Sequence, residues 1–109
     1  MLKLNVEMLA HAYDYLNTQP PFSSWNLPHS EDIRFEIKRK PKFYAECRRG
    51  TDGVYRLIFS VCWVGRHDVL MSTMAHEMIH IHVDQACMNT RNHHARTFQR
   101  LADRVCKIH

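Results

Sequence analysis

The sequence predicts an α+β domain in which a helix is followed by three antiparallel strands and then by two further helices. The chain has 109 residues, of which 45% are hydrophobic, enough for one modest core. Apolar residues recur at helical spacing near both ends of the chain and alternate with polar residues in the middle. We therefore assign 1–30 to a helix and loop, 31–62 to a β-meander, 68–87 to a central helix and 93–107 to a C-terminal helix, all within a single domain.

The first helix is predicted over 3–17. Its apolar stripe consists of Leu2, Val6, Leu9, Tyr13 and Leu16. Pro20 and Pro21 exclude any continuation, because tandem prolines cannot extend a helix. The loop that follows, 18–30, is expected to pack three apolar side chains onto the body, those of Phe22, Trp25 and Leu27. Trp25 could instead line a substrate cleft.

The three strands are predicted from alternation and composition. Residues 33–38 alternate apolar and polar without a break, which is typical of a strand with one buried face. A basic turn leads to a second alternating stretch at 43–48, and 50–53 gives a strong hairpin signal. Residues 54–62 are rich in β-branched and aromatic side chains and form a third, more buried strand. We expect these strands to make an antiparallel meander.

The central helix carries the candidate site. With Asp68 as its predicted N-cap, it is apolar nearly all round, which indicates burial. His76 and His80 are four residues apart and project from one face of the helix. Both imidazoles can therefore bind one Zn²⁺. A metal would also satisfy the polar nitrogens that burial removes from water. Glu77 lies about 100° round the helix, within reach of a water on that metal. His-Glu-x-x-His is the zinc-protease pattern with Glu as general base, and this composition predicts about 0.03 chance matches.

A catalytic zinc site needs a third protein ligand and an open position. The remaining candidates are His82, Asp84, Cys87, His93, His94, Asp103 and His109. On the last predicted helix His94 shares a stripe with Phe98 and Leu101, so it should face the core and is our choice, with His93 as the alternative. Asp84 is better placed to orient an imidazole, or it is a solvated or capping carboxylate.

Composition limits the remaining functional classes. The four Cys residues form no Cys-x-x-Cys pair, which argues against a zinc ribbon and against a secreted disulfide framework. Residues 1–7 contain no apolar signal segment and nothing approaches a membrane span, so we expect a cytoplasmic protein without membrane contact. The net charge of +4 mildly favours anionic partners.

Basic side chains concentrate in two places. The first group surrounds the first two strands and consists of Arg34, Lys38, Arg39, Lys40, Lys42, Arg48 and Arg49. The second is a stripe on the last helix, with Arg96, Arg100 and Arg104. The first group is the candidate nucleic-acid contact, although an ordinary solvated face has the same pattern.

The segment His76-Glu77-Met78-Ile79-His80, followed after a short loop by His94-Ala95-Arg96-Thr97-Phe98, resembles the SprT-like (Spartan-type) metallopeptidase family. That family pairs His-Glu-x-x-His with a later His-Gly-x-x-Phe/Trp, whose His is the third zinc ligand. The resemblance covers about residues 30–106 and assigns that role to His94. Ala95 stands where the family usually has Gly, the loop between the motifs is short, and no four-Cys ribbon follows.

The resemblance implies a zincin-like fold, a Zn²⁺ cofactor and hydrolysis of peptide bonds in proteins bound or crosslinked to DNA, as in DNA repair. It also suggests a stripped-down catalytic domain, such as a bacteriophage or small prokaryotic genome encodes. Candidate oxyanion donors are Tyr44, His93 and Arg96. Two alternatives stay open: a non-catalytic, zinc-stabilised nucleic-acid-binding module, and a zincin-fold protease that acts on a regulatory protein without DNA. The oligomeric state is not assigned.

Overall fold

Two α-helices and a three-stranded sheet make up residues 3–86, the part of the chain that the computed structural model describes. In chain order the elements are α1 (Val6–Asn17), β1 (Ile33–Lys38), β2 (Ala45–Arg49), β3 (Tyr55–Ser60) and α2 (His67–Ala86), with 3₁₀ turns at Phe22–Ser24 and Ser30–Asp32. The predicted α+β class is confirmed. The helix predicted over 93–107 lies outside the described residues.

Helix α1 begins at Val6, three residues later than predicted, because Asn5 caps it. The side-chain Oδ1 of Asn5 accepts a hydrogen bond of 2.7 Å from the backbone N–H of Met8, which satisfies one of the free donors of the first turn. The buried members of the predicted stripe are Leu9, Tyr13 and Leu16. Val6 is 50% exposed, so its predicted burial is wrong: the first turn extends past the edge of the core.

The predicted antiparallel meander is wrong, because β3 lies between β1 and β2. It pairs antiparallel with β2 and parallel with β1, so that Leu57 stands opposite both Phe35 and Cys47. Burial explains this order. Five of the six β3 residues are buried, whereas no residue of β2 is, and a strand covered on both faces belongs at the centre of a sheet. The segment 39–44 therefore skips one strand position instead of making a tight turn.

The connection from β2 to β3 is the predicted hairpin. The backbone N–H of Gly50 donates to the carbonyl of Val54 at 2.9 Å, and Oδ1 of Asp52 accepts from the N–H of Val54 at 3.0 Å. Gly53 has a φ of 82°, a left-handed conformation that glycine adopts without steric cost. The turn thus fixes the register in which Arg49 faces Tyr55.

One face of the sheet packs against both helices. The residues that this face contributes to the core are Ile33, Phe35, Tyr55, Leu57 and Phe59. The loop at 18–30 closes the core as predicted, with Phe22 and Leu27 buried. Trp25 stacks on His82 of α2, with ring centroids 4.1 Å apart, so Trp25 packs against the body. Within residues 3–86 neither helix combines the length and the apolar character needed to cross a bilayer.

Candidate metal centre

Helix α2 positions the candidate site because it is embedded in the core. Its buried residues are Leu70, Met74, Ala75, Glu77, Met78, Ile79, Ile81 and Val83, which confirms the prediction of a helix apolar on most sides. The helix begins at His67, one residue before the predicted cap. Asp68 therefore lies in the first turn, where its negative charge interacts favourably with the positive end of the helix dipole. Arg66 forms an ion pair with Asp68 at 3.2 Å.

The site consists of His76, Glu77 and His80, which each offer one ligand atom within 4.8 Å of the others. The two imidazole centroids are 4.9 Å apart and the rings meet at 77°. This geometry follows from the four-residue spacing, which puts both rings on one helix face one turn apart. The group could hold a metal ion, and imidazole nitrogens suit zinc, copper, iron and nickel.

Glu77 is the unusual member of this group, because it is only 3% exposed. Within the described residues its Oε2 atom is buried and has no hydrogen-bond partner, an arrangement that costs free energy unless a ligand satisfies the oxygen. Burial, and secondarily the charge of Glu46, raises the pKa of Glu77 to about 7. A carboxylate with such a pKa can exchange a proton with water near neutral pH.

The two histidines differ in their surroundings. His80 is half-buried, whereas His76 is exposed, so the burial expected for a helix apolar nearly all round does not extend to His76. This residue lies on the side of α2 that borders an open cleft. Partial desolvation of the ring still lowers the pKa of His76. The neutral imidazole, which is the form that binds metal, is therefore favoured.

A cleft of about 450 Å³ opens beside His76 and Glu77. Its other lining residues are Tyr44, Ala45, Val69, Ser72 and Thr73. The ring of Tyr44 is 52% exposed and stacks on Trp63 with centroids 5.5 Å apart. Of the three predicted oxyanion donors, Tyr44 therefore borders the site, while His93 and Arg96 lie outside the described residues.

Sequence reasoning missed the part that α2 itself plays in this cleft. Val69, Ser72 and Thr73 line it because they precede His76 by three to seven positions, which places them on the same side of the helix. That spacing is visible in the sequence. The contribution of β2 is not, since it depends on which strand lies at the edge of the sheet.

Most of the other predicted metal ligands lie outside the residues that the structure describes. The third ligand, His94, and its alternative His93 lie outside residues 3–86, as do Cys87, Asp103 and His109. His82 is not part of the metal-ligand group and stacks on Trp25 instead.

Asp84 connects α2 to the hairpin. Its Oδ2 atom accepts a 2.6 Å hydrogen bond from the hydroxyl of Tyr55 and lies 3.1 Å from Nη1 of Arg49. These are its partners within the described part of the chain. The predicted role of Asp84 in orienting an imidazole stays a prediction.

The predicted basic group separates into parts. Five of its members line a second cavity, on the other face of the sheet: Lys38, Arg39, Lys40, Lys42 and Arg48. Arg49 pairs with Asp84 instead, and Arg34 is not among the residues that line this cavity. Five of the seven basic residues therefore line one cavity, and their contact with nucleic acid stays a prediction.

Comparison with known proteins adds no further assignment to this geometry. No protein-family model, curated protein or solved structure matches the chain.

Proposed function

We propose that the protein is a zinc-dependent endopeptidase of the SprT-like kind. The observation that carries the proposal is the carboxylate of Glu77, which is buried beside two imidazoles with one oxygen lacking a partner in the described residues. A metal site with a purely structural role has no use for an acid at this position. A hydrolase needs one, because its attacking water must lose a proton.

The donor set fits a divalent metal. His76 and His80 would hold it, with His94 as the third ligand. Zn²⁺, when bound, supplies a Lewis acid that lowers the pKa of a water and polarises the scissile carbonyl. Glu77 accepts the proton of the attacking water at its carboxylate and then delivers it to the leaving amine. In the metal-free protein, burial brings the pKa of the Glu77 carboxyl to about 7, so this group can take up and release a proton near neutral pH.

The position of strand β2 favours a peptide as the substrate. Among the described strands it lies at an edge of the sheet, and it packs against α2 so that Ala45 borders the cleft beside His76. An unpaired strand edge can take up an extended peptide by adding it as a further strand. Tyr44 also lines the cleft, and we propose that its hydroxyl contacts a substrate carbonyl. Because the two histidine motifs resemble those of the SprT-like family, we propose that the substrates are proteins bound or crosslinked to DNA. We also propose that the protein acts in the cytoplasm.

The test combines metal analysis with peptidase assays on the full chain. Glu77→Gln is expected to retain the zinc content of the unmutated protein and to lose about 10²- to 10⁴-fold in turnover of a casein or peptide substrate. His80→Ala and His94→Ala are expected to lose both metal and activity. His82→Ala is the matched control, because this histidine stacks on Trp25 and lies outside the metal-ligand group.

Two results would reject the peptidase. One is full turnover in Glu77→Gln. The other is a metal that stays tightly bound in His94→Ala because another protein side chain, and not His94, completes its ligand set. The role of DNA has its own measurement. Single-stranded or duplex DNA is expected to accelerate cleavage, and cleavage unaffected by DNA at low salt would favour a protease for a regulatory protein.

A further inference from the structure

The outer face of the sheet carries a basic cavity that takes no part in the proposed hydrolysis of the peptide bond. Its volume is about 620 Å³. The cations that line it are Lys38, Arg39, Lys40, Lys42, Arg48 and Arg56. Ile58 also lines it and is only 4% exposed, although it does not belong to the main core. Successive residues of a strand face opposite sides, so Ile58 points away from the face that Leu57 and Phe59 present to the helices.

The charges around this cavity are unbalanced. Glu46 pairs with Arg48 at 2.6 Å, and Glu36 pairs with Arg56 at 2.6 Å and with Lys38 at 3.8 Å. The three cations of the connecting segment, Arg39, Lys40 and Lys42, form no ion pair with any residue in the described range. Like charges held around one concavity repel each other, and a bound anion would relieve this repulsion.

The basic segment is held in place by side chains from elsewhere. Ser60 is fully buried. Its Oγ donates to the carbonyl of Lys40 at 2.6 Å and accepts from the N–H of Lys40 at 3.2 Å. The indole N–H of Trp63 donates to the carbonyl of Pro41 at 2.9 Å. The backbone that carries the unpaired cations is thus fixed before any ligand arrives, which lowers the entropic cost of binding.

The shape of the cavity selects among anions. A volume of about 620 Å³ lies in the range of small-molecule sites and far exceeds one phosphate ion. An extended nucleic-acid track would need a row of basic residues that continues beyond the cavity; Arg34 stands opposite Arg56 but does not line the cavity, and Arg49 pairs with Asp84. Several lysines and arginines around one concavity suit adjacent phosphate groups. Phe43, also in the lining, offers a ring on which a base can stack.

We propose that this cavity binds a compact polyanion of nucleotide size that carries two or more adjacent phosphate groups. The proposal does not depend on the metal site, which lies against the other face of the sheet. It adds a second binding function to the chain, and the two sites can be tested separately.

The test is calorimetric titration of the full chain with orthophosphate, pyrophosphate, tripolyphosphate and adenosine triphosphate, with EDTA present and without magnesium. Affinity is expected to rise along the first three ligands, with tripolyphosphate at least about tenfold tighter than orthophosphate. Lys40→Gln and Lys42→Gln should each weaken tripolyphosphate by about tenfold. Lys3→Gln makes the same change of charge at an exposed lysine that does not line the cavity and should leave the affinity unchanged.

A second variant tests whether binding depends on the position of the basic segment as well as on its charge. Trp63→Phe removes the hydrogen bond to Pro41 but no cation, and Trp63 is 47% exposed, so the fold should tolerate the change. Tripolyphosphate should bind this variant several-fold more weakly, while the salt dependence of binding stays the same because the same charges take part.

Three results would overturn the proposal. The first is tripolyphosphate that binds no tighter than orthophosphate. The second is an equal loss of affinity in Lys3→Gln and Lys40→Gln. The third is a single-stranded oligonucleotide that binds tightly and is not displaced by tripolyphosphate or adenosine triphosphate, which would identify an extended nucleic-acid surface in place of a compact site.

Discussion

The hydroxyl of Tyr55 donates a 2.6 Å hydrogen bond to Oδ2 of Asp84, which joins the first residue of β3 to the last turn of α2. Burial, followed by this bond to the carboxylate, raises the pKa of Tyr55 above its usual value. Nη1 of Arg49 lies 3.1 Å from the same oxygen. The C-terminal part of the helix that carries His76 and His80 is therefore tied to the β2–β3 hairpin by two side chains of different character.

Removal of these two contacts should have unequal effects on stability. Tyr55→Phe deletes a part-buried hydrogen bond to a charged acceptor and should lower the free energy of unfolding by about 1–2 kcal/mol. Arg49→Gln removes an ion pair that is partly open to solvent and should cost about 0.5 kcal/mol or less. Urea titration of both variants measures the difference, and an equal or larger loss in Arg49→Gln would contradict the prediction, because the ion pair would then contribute at least as much as the hydrogen bond.

The buried carboxyl of Glu77 predicts a pH dependence for the metal-free protein. Its pKa rises from 4.5 to about 7 on folding, so the folded state holds the proton more tightly. This contribution to stability is complete below pH 4.5 and is lost as the pH rises through about 7. Glu77→Gln carries no such charge and should be more stable than the unmutated chain at pH 8, by up to about 3 kcal/mol, and nearly equal to it at pH 4.5.

Urea unfolding at the two pH values, with EDTA present, measures this difference. Glu31→Gln is the control, because that side chain is exposed and its removal should change stability little at either pH. A Glu77→Gln variant whose advantage does not grow between pH 4.5 and pH 8 would contradict the desolvation of the carboxyl. The metal-loaded protein should behave differently, since a nearby cation favours the ionised form.

The two cysteines in the described residues should differ in reactivity. Burial, with smaller contributions from Glu77, Asp84 and Glu46, raises the pKa of Cys47 to about 12, whereas Cys62 is exposed. Only the thiolate reacts with alkylating agents, so iodoacetamide at pH 8 should modify Cys62 at least about 10²-fold faster than Cys47. Peptide mass mapping of the native protein measures both rates, with unfolded protein as the reference in which the two should be similar.

The stack between Trp25 and His82 should contribute to the docking of the loop on α2. The rings are 4.1 Å apart and 10° from parallel, and desolvation lowers the pKa of His82, so the imidazole is neutral above pH 7. A double-mutant cycle with Trp25→Ala and His82→Ala at pH 7.5 should give a coupling energy of about 0.5–1.5 kcal/mol. Strictly additive effects would mean that the stack itself adds nothing to the docking of the loop.

Local patterns explain which features were predictable. The bounds of β1 follow from unbroken alternation at 33–38, and the pairing of His76 with His80 follows from helix geometry alone. The sheet order was not predictable in this way, because alternation reveals which face of a strand is buried but not which strand lies beside it. The exposure of His76 likewise depends on the cleft next to it, which a helical wheel does not contain.

The basic cavity shows the same limit. The lysines and arginines around β1 and β2 are evident in the sequence. The hydrogen bonds that hold the basic segment in place are not evident in the sequence, because Ser60 is 20 residues from Lys40 and Trp63 is 22 residues from Pro41. Contacts at such separation depend on the tertiary arrangement, so a buried serine in an apolar strand gives no local signal of its function.

The central place of β3 has a consequence for how a nascent chain acquires this structure. When residues up to 49 have left the ribosome, β1 and β2 have both emerged, but they are not neighbours in the folded sheet, since β3 lies between them and is still inside the exit tunnel. The hairpin of β2 and β3 closes over a short turn and can form early, whereas the parallel pairing with β1 spans a longer loop and is intrinsically slower. Translation must therefore pass Ser60 before the sheet can be completed.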